Sequence, residues 1–316
     1  MAPLITVIIP AFNSERFIAE AVRSALDQDY PNKEILVIDD GSTDGTLGAV
    51  ASCGGAVKVV SVPNGGPANA RNLGMKMAHG AFIAFLDADD VWARGKLSGQ
   101  IRHLQDHPET GVCYTGWHVW PAEDDGRWSR PSHFVDDFGR PIAVPDRSGW
   151  IYGDLLFECK LLTTTVMLRT EIMRRAGEFD QGLRVGEDYD YWLRLSQITR
   201  IDRLDCCGAL YRVVPGSASR QPHALNHELI VVQRALERFG GTCPSGHSVP
   251  ARRIEDRLHQ LAFQHAWAHL RNGDPSIALA GFQDCLAQRP WSVSLWARWL
   301  QALRLKTFGA KPLPSQ

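Results

Sequence analysis

Three aspartates, Asp87, Asp89 and Asp90, fall within four positions directly after an apolar run at residues 81–85, in the stretch GAFIAFLDADDVW. The run has the length and composition of a buried strand. Alternate residues of an extended chain point to one side, so Asp87 and Asp89 can face one ligand together. Carboxylates crowded at a strand end repel one another unless a cation sits among them. A hard divalent ion such as Mg2+ or Mn2+ suits their oxygens. The competing reading is an acid-rich turn that caps the next helix. A second acidic pair, Glu187 and Asp188, opens GEDYDYWLRL, a helical pattern in which Asp188, Tyr191, Trp192 and Leu195 share a face.

The elements that must position these groups alternate in type. Residues 5–10 read as a first strand, after which Asn13 or Ser14 caps a helix with Phe17, Ile18, Ala21, Val22, Ala25 and Leu26 on one face. Residues 34–39 read as a second strand, ending in the turn-rich loop DDGSTDGT, and residues 57–62 as a third. NGGPANARNLGMKMAHG then opens with glycines, and Pro67 fits a first helical turn. After the strand at 81–85, a polar helix is expected from about 93 to 107. This alternation predicts an α/β fold with a mostly parallel sheet flanked by helices. Ligands of such sheets bind beyond the carboxyl ends of the strands. Residues 10–13, 39–44 and 87–90 all fall there and should converge on one cleft, which favours the metal site over the helix cap.

Further along, residues 112–119, 163–168 and 210–214 read as strands, with a loop-rich insert at 123–149. Past about residue 220 the pattern becomes helical, at 223–239, 252–272, 276–288 and 292–306, with 243–250 as a linker. AFQHAWAHLRNGDPSIALAGFQDCLAQRP has the small-residue pattern of a tetratricopeptide-like helix pair, and only one such pair is visible. The expected division is therefore an α/β domain at 1–220 and an α-helical extension at 221–316.

The net charge of −1 over 316 residues argues against a dedicated nucleic-acid binder. It conceals an asymmetry, because residues 221–316 carry 11 Lys/Arg against 6 Asp/Glu. No apolar run approaches the roughly 20 residues of a membrane-spanning helix. The start, MAPLITVIIPAFN, reads as a strand and not a signal peptide. Seven scattered cysteines without CxxC spacing suit a reducing cytoplasm.

VIIPAFN, VIDDGSTDGT, GPANARNLG, FLDADD and GEDYDYWLRL follow one another across residues 4–220. Together they resemble an inverting family 2 glycosyltransferase of the GT-A fold. The resemblance implies a role for each matching position. Pro10, Ala11 and Phe12, with Asn13, would line the nucleotide pocket, and Phe12 could stack on the base. Asp40 would accept the imide N–H of a uracil-like base. Arg71 would lie near the diphosphate. Asp87 would face ribose and sugar, Asp89 would ligate Mn2+ or Mg2+, and Asp188 would be the catalytic base with Glu187 beside it. The chemistry requires such parts: a divalent metal neutralises the departing diphosphate, and a carboxylate takes the acceptor hydroxyl's proton. Attack opposite the leaving group inverts the anomeric centre. The implied donor is UDP-linked, and the implied acceptor is a glycan or glycolipid of the cell envelope.

One departure stands out. The family often has histidine in a Tyr-Arg-x-His pattern, where YRVVPGSASR has Val214; Ser217, Ser219 and Arg220 are the nearby candidates to replace it. His265 and His269, four apart on a helix, read as a satisfied helix face in preference to a metal site. Neither a GxxxxGK[ST] loop nor a GxGxxG fingerprint is present. Trp291, Trp296 and Trp299 with Arg298, Arg304 and Lys306 suggest a basic helix for peripheral membrane contact. Packing of those tryptophans on neighbouring helices is the preferred alternative. The rival functions are sugar-phosphate nucleotidyl transfer and a scaffold that works through its helical tail.

Overall fold

The structure is a computed structural model that describes residues 2–55, 57–136, 139–214 and 222–309. The chain divides into two compact units, Met1–Pro215 with Cys243–Gly246, and Gly216–Thr242 with His247–Gln316. The strands of the first unit are β1 (Ile5–Ala11), β2 (Lys33–Asp39), β3 (Val57–Ser61), β4 (Phe82–Phe85), β5 (Val91–Trp92), β6 (Thr110–Pro121), β7 (Val166–Arg169) and β8 (Arg200–Val213). They form one sheet in the order β3-β2-β1-β4-β7-β6-β8-β5. Its helices are α1 (Ile18–Leu26), α2 (Thr46–Ala51), α3 (Pro67–Met77), α4 (Lys96–Asp106), α5 (Tyr152–Leu155), α6 (Thr170–Ala176) and α7 (Glu187–Ser196).

The β3-β2-β1-β4 half is parallel, as the strand and helix alternation predicts, because each strand returns through a crossover. β7 then runs antiparallel between β4 and β6, so the sheet is mixed. Ile5, Val7, Ile9 and Ala11 of β1 share a core with Ile18, Ala21, Val22 and Ala25 of α1 and Leu97, Ile101 and Leu104 of α4. On the other side of β1, α3 approaches at Gly74. A Cβ there would lie 2.5 Å from Ile8 Cγ2, so glycine permits the contact.

Several elements depart from expectation. α1 begins at Ile18 without a side-chain cap. Asn13 instead adopts φ +46, accepts the Thr43 N–H at 2.9 Å and donates its own N–H to Ser42 Oγ at 2.9 Å. Local hydrogen bonding to the next loop thus wins over helix capping, a competition typical of asparagine. The helix read as polar, α4, buries Lys96, Gln100 and His103. These are internal anchors: His103 Nε2 lies 3.0 Å from Asp202 Oδ2, and Lys96 Nζ lies 2.7 Å from Gln100 Oε1. Residues 163–165 form a 3-10 turn before β7, and β8 starts ten residues earlier than its predicted strand.

The second unit contains α8 (His227–Phe239), α9 (Ala251–Asn272), α10 (Pro275–Gln288) and α11 (Val293–Phe308). α9 and α10 meet where a Cβ on Gly281 would lie 2.8 Å from Ala266 Cβ, the small-residue contact expected of the helix pair. His265 and His269 each place Nε2 2.8 Å from the His223 carbonyl, so both are satisfied by backbone. Residues 243–250 are not a plain linker. Cys243 is buried, and its Sγ accepts the Gly153 N–H at 3.2 Å within the first unit. Among the described residues no helix is long and apolar enough to cross a membrane.

Candidate active site

The carboxyl ends of β1, β2 and β4 supply one side of the site, and the amino end of α7 supplies another. β4 delivers Asp87, and a turn closed by the Asp90 N–H on the Asp87 carbonyl at 3.1 Å orders the aspartates. Asp87 and Asp89 stay half-buried, whereas Asp90 is fully buried and accepts the Arg212 backbone N–H at 3.0 Å. Asp87 and Asp89 therefore keep an exposed side, and Asp90 does not. Burial, reinforced by Asp87, pushes the Asp89 carboxyl up to about 6. Burial, followed by Asp89 and Asp87, raises Asp90 as well.

Arg71, on α3, joins the two sides. Its Nη2 lies 2.9 Å from Asp87 Oδ1 and its Nη1 lies 2.8 Å from Glu187 Oε1. Burial alone would lower its pKa, but Asp87, Glu187 and Asp188 outweigh that and hold the guanidinium charged. The sequence reading put Arg71 beside the diphosphate. Here both terminal nitrogens are engaged by carboxylates, and the side chain is almost wholly enclosed. Glu187 is pushed up by burial and by Asp188, against the pull of Arg71.

α7 starts where Gly186, at φ +83, lets the chain turn into the helix. Tyr191 and Trp192 pack against Phe179, and Trp192 against Phe85, fixing the helix to the end of β4. Asp188 lies in the first turn, where unpaired N–H groups favour a negative charge. Its Oδ1 accepts the Tyr189 N–H at 2.8 Å and its Oδ2 accepts the Thr163 hydroxyl at 3.0 Å. The Thr163 turn is itself held in place: Trp92 Nε1 donates to the Thr164 carbonyl at 2.7 Å, and Gln100 Nε2 to the Thr165 carbonyl at 2.9 Å.

Of the residues expected at the nucleotide, Phe12 is 49% exposed at the end of β1, past Pro10 and Ala11. Asn13 latches that end to Ser42 and Thr43. Asp40 carries a task the sequence reading did not include. It is 3% exposed, and its carboxylate accepts the Gly65 and Gly66 N–H groups at 2.9 and 2.8 Å, tying β2 to the start of α3.

Two contributors escaped sequence reasoning. Thr163 bonds Asp188, and nothing in a TTT run signals that. Arg212 donates from Nε to the Asp89 carbonyl at 2.7 Å and stacks on Trp120 and Phe17, its Cζ 4.2 and 4.7 Å from the ring centroids. It was in view as the arginine of YRVV, beside the missing histidine. Val214 follows the end of β8 without a polar side chain, and Ser217, Ser219 and Arg220 lie outside the described residues.

The donor set bears on a metal. Among the described residues no group of three or more His, Cys, Asp or Glu is arranged to hold an ion. Asp87 and Asp89 supply hard oxygens, and burial together with the Asp87 charge disfavours the ionised form of Asp89 in the absence of a cation. That fits Mg2+ or Mn2+, which are usually held by one or two carboxylates and complete their shell with substrate phosphate and water.

The family model for glycosyl transferase family 2 matches residues 6–160. TuaG of Bacillus subtilis (strain 168), a glycosyltransferase provisionally assigned to teichuronic acid biosynthesis, is 31% identical over 244 residues, covering 75% of this chain and 90% of TuaG. The Escherichia coli UDP-Glc:alpha-D-GlcNAc-diphosphoundecaprenol beta-1,3-glucosyltransferase WfaP is 32% identical over 242 residues, covering 75% of this chain and 87% of WfaP. Other relatives are longer: the chain spans only 31% of an uncharacterised glycosyltransferase of Rickettsia conorii and 61% of one from Rickettsia prowazekii. Among solved structures, S. aureus TarS 1-349 in complex with UDP superposes with TM-score 0.61 at 21% identity, covering 96% of this chain and 89% of that one. The mannosyltransferase PcManGT of Pyrobaculum calidifontis, in complex with GDP-Man and Mn2+, gives 0.58 at 21%, covering 98% and 89%. These two establish the fold as of the GT-A type. The chain belongs to glycosyl transferase family 2.

Proposed function

We propose that this chain is an inverting, metal-assisted glycosyltransferase that moves a sugar from a UDP-linked donor to a hydroxyl of a lipid-linked glycan acceptor of the cell envelope. The observation that carries the reading is the Arg71 bridge. One buried guanidinium draws Asp87, at the donor-side strand end, and Glu187, at the start of α7, to a common centre beside Asp89 and Asp188. The names of WfaP and TuaG support an envelope acceptor, and WfaP supports a UDP-linked donor. The Mn2+ in the PcManGT complex supports a divalent ion.

In this reading Phe12 offers its exposed ring to the base, and Asp40, which ties down Gly65 and Gly66, accepts the base imide N–H. Asp87 meets the ribose and sugar side of the donor, and Asp89 holds the ion with Asp87 alongside. When bound, the ion stabilises negative charge on the departing diphosphate oxygens. Asp188 accepts the acceptor hydroxyl's proton as that oxygen attacks the anomeric carbon from the face opposite the diphosphate. The Thr163 hydroxyl fixes the Asp188 rotamer, while Glu187 acts through Arg71 to hold the start of α7. The chain is cytoplasmic in this reading, with its acceptor at the membrane face.

A panel of sugar nucleotides tests this. The protein is supplied with diphosphoundecaprenol-linked sugar, with Mn2+ or with EDTA, and release of nucleoside diphosphate is scored. Metal-dependent, acceptor-dependent release from a UDP-sugar is expected. Release from GDP-linked donors alone would reject the base assignment, and equal release in EDTA would reject the metal.

A further inference from the structure

α11 has two apolar faces. Leu295, Trp299, Ala302 and Leu305 pack into the cluster formed with α9 and α10. The opposite face carries Val293, Trp296 and Leu300 at helical spacing, all exposed, with Val293 at 82%. Trp291, just before the helix, is 92% exposed, and Phe308, at its end, is exposed as well. Five of the thirteen exposed large hydrophobic side chains among the described residues thus fall in these eighteen positions. A helix with apolar side chains on two opposite faces calls for a second covering surface.

Charge decides what covers it. Residues 285–316 contain five Lys/Arg and no Asp/Glu. Arg304 and Lys306 are exposed on the helix, whereas Arg298 is committed to the Trp267 ring, its Cζ 4.2 Å from the centroid. A second copy meeting this one through the same face would bring together two acid-free, basic segments. An anionic lipid surface supplies the missing negative charge. Exposed Trp and Leu beside Arg and Lys is also the composition of helices that lie in a membrane interface.

We propose that the outer face of α11 binds an anionic membrane surface, with Trp291, Trp296 and Leu300 entering the headgroup boundary, Arg304 on that face lying against lipid phosphates, and Lys306 reaching them from the edge of the packed face near the helix end. The inference deepens the proposed function and rests on it for its purpose, since a lipid-linked acceptor is held at such a surface. Its test needs neither donor nor acceptor. The full chain is floated with vesicles of phosphatidylcholine alone and of phosphatidylcholine mixed with phosphatidylglycerol. Flotation with the mixed vesicles, weakened by added salt, is expected. A double substitution Trp296→Ser, Leu300→Ser should abolish it. At roughly fivefold per basic side chain, the pair Arg304→Gln, Lys306→Gln should lower partitioning about twenty- to thirtyfold on mixed vesicles only. UDP affinity and melting temperature, measured on the same variants, should match the parent. Absence of UDP binding throughout would reject the proposed function and leave the vesicle result standing. The inference is overturned if the folded chain fails to float with mixed vesicles, or if neither double variant reduces flotation. It is equally overturned if the Ser double variant turns a dimer into a monomer without lipid, which would assign the face to a second copy.

Discussion

Replacing Arg71 with methionine keeps the volume of the side chain and removes the charge that Asp87 and Glu187 share. Breaking a buried ion pair from one side costs about 3–5 kcal/mol, because the remaining charge is left uncompensated. Asp87 retains a quarter of its side-chain exposure and is partly screened, while the Glu187 side chain is only 9% exposed. The expected loss is therefore about 2–4 kcal/mol, or roughly 4–16 °C in melting temperature for a domain of this size. The pH dependence has a definite sign. Burial already raises Glu187, and Arg71 is what opposes it. Without Arg71 the carboxyl lies further above its unfolded value, so the variant gains stability only when the group is protonated and loses it as pH rises. The deficit against the parent should be smaller near about pH 5 than near about pH 8. Melting both proteins at the two pH values measures it, with Arg71→Lys as a control that restores charge at a single point and recovers part of the stability. A variant that melts with its parent at both pH values, or that suffers more in acid, would refute the bridge as described.

Asp89→Ala should remove the Mn2+-dependent tightening of UDP binding, measured by fluorescence; because burial and Asp87 disfavour its charged form, the melting temperature should hold or rise. Equal metal enhancement in variant and parent would move the ion elsewhere. Burial lowers Lys96 to about 7 from 10.5, so the folded state binds fewer protons than the unfolded chain between those values. Stability should rise with pH across that window by up to about 1.4 kcal/mol per unit, and Lys96→Met should flatten the slope in denaturant titrations. The expected division near residue 220 predicts that residues 222–316 fold alone, and a random-coil circular dichroism spectrum from that piece would contradict it.

The parallel half of the sheet was legible because each strand is a short apolar run followed by a helical period, and because FLDADD and GEDYDYWLRL announce acidic ends. The antiparallel placement of β7 was not, since a four-residue strand carries no mark of its direction. Asn13 misled because its side chain can cap a helix or bond a neighbouring loop, and tertiary contact chose the loop. Lys96, Gln100 and His103 made α4 look solvent-facing, although Lys96 is bonded to Gln100 within the helix and Gln100 and His103 find buried partners on distant chain. Arg71 and the acidic residues were recognisable one by one. That they form a single buried bridge depends on α3 and α7 meeting, across more than a hundred residues, which no local pattern encodes. The tryptophans of the tail divide as neither sequence reading foresaw: Trp299 packs inward, and Trp291 and Trp296 face out.

The central claim is that Asp188 takes the acceptor's proton in a single displacement. It is tested by comparing the parent with Asp188→Asn, which keeps shape and helix-capping capacity but cannot accept that proton at neutral pH. Transfer from an α-linked UDP-sugar to a lipid-linked acceptor is followed, with the anomeric configuration of the product read by NMR and UDP affinity and melting measured alongside. The parent should form a β-linked product, and the variant should transfer about 10²–10⁴-fold more slowly with unchanged UDP affinity and melting. Near-normal transfer by Asp188→Asn, or an α-linked product from the parent, would contradict the account.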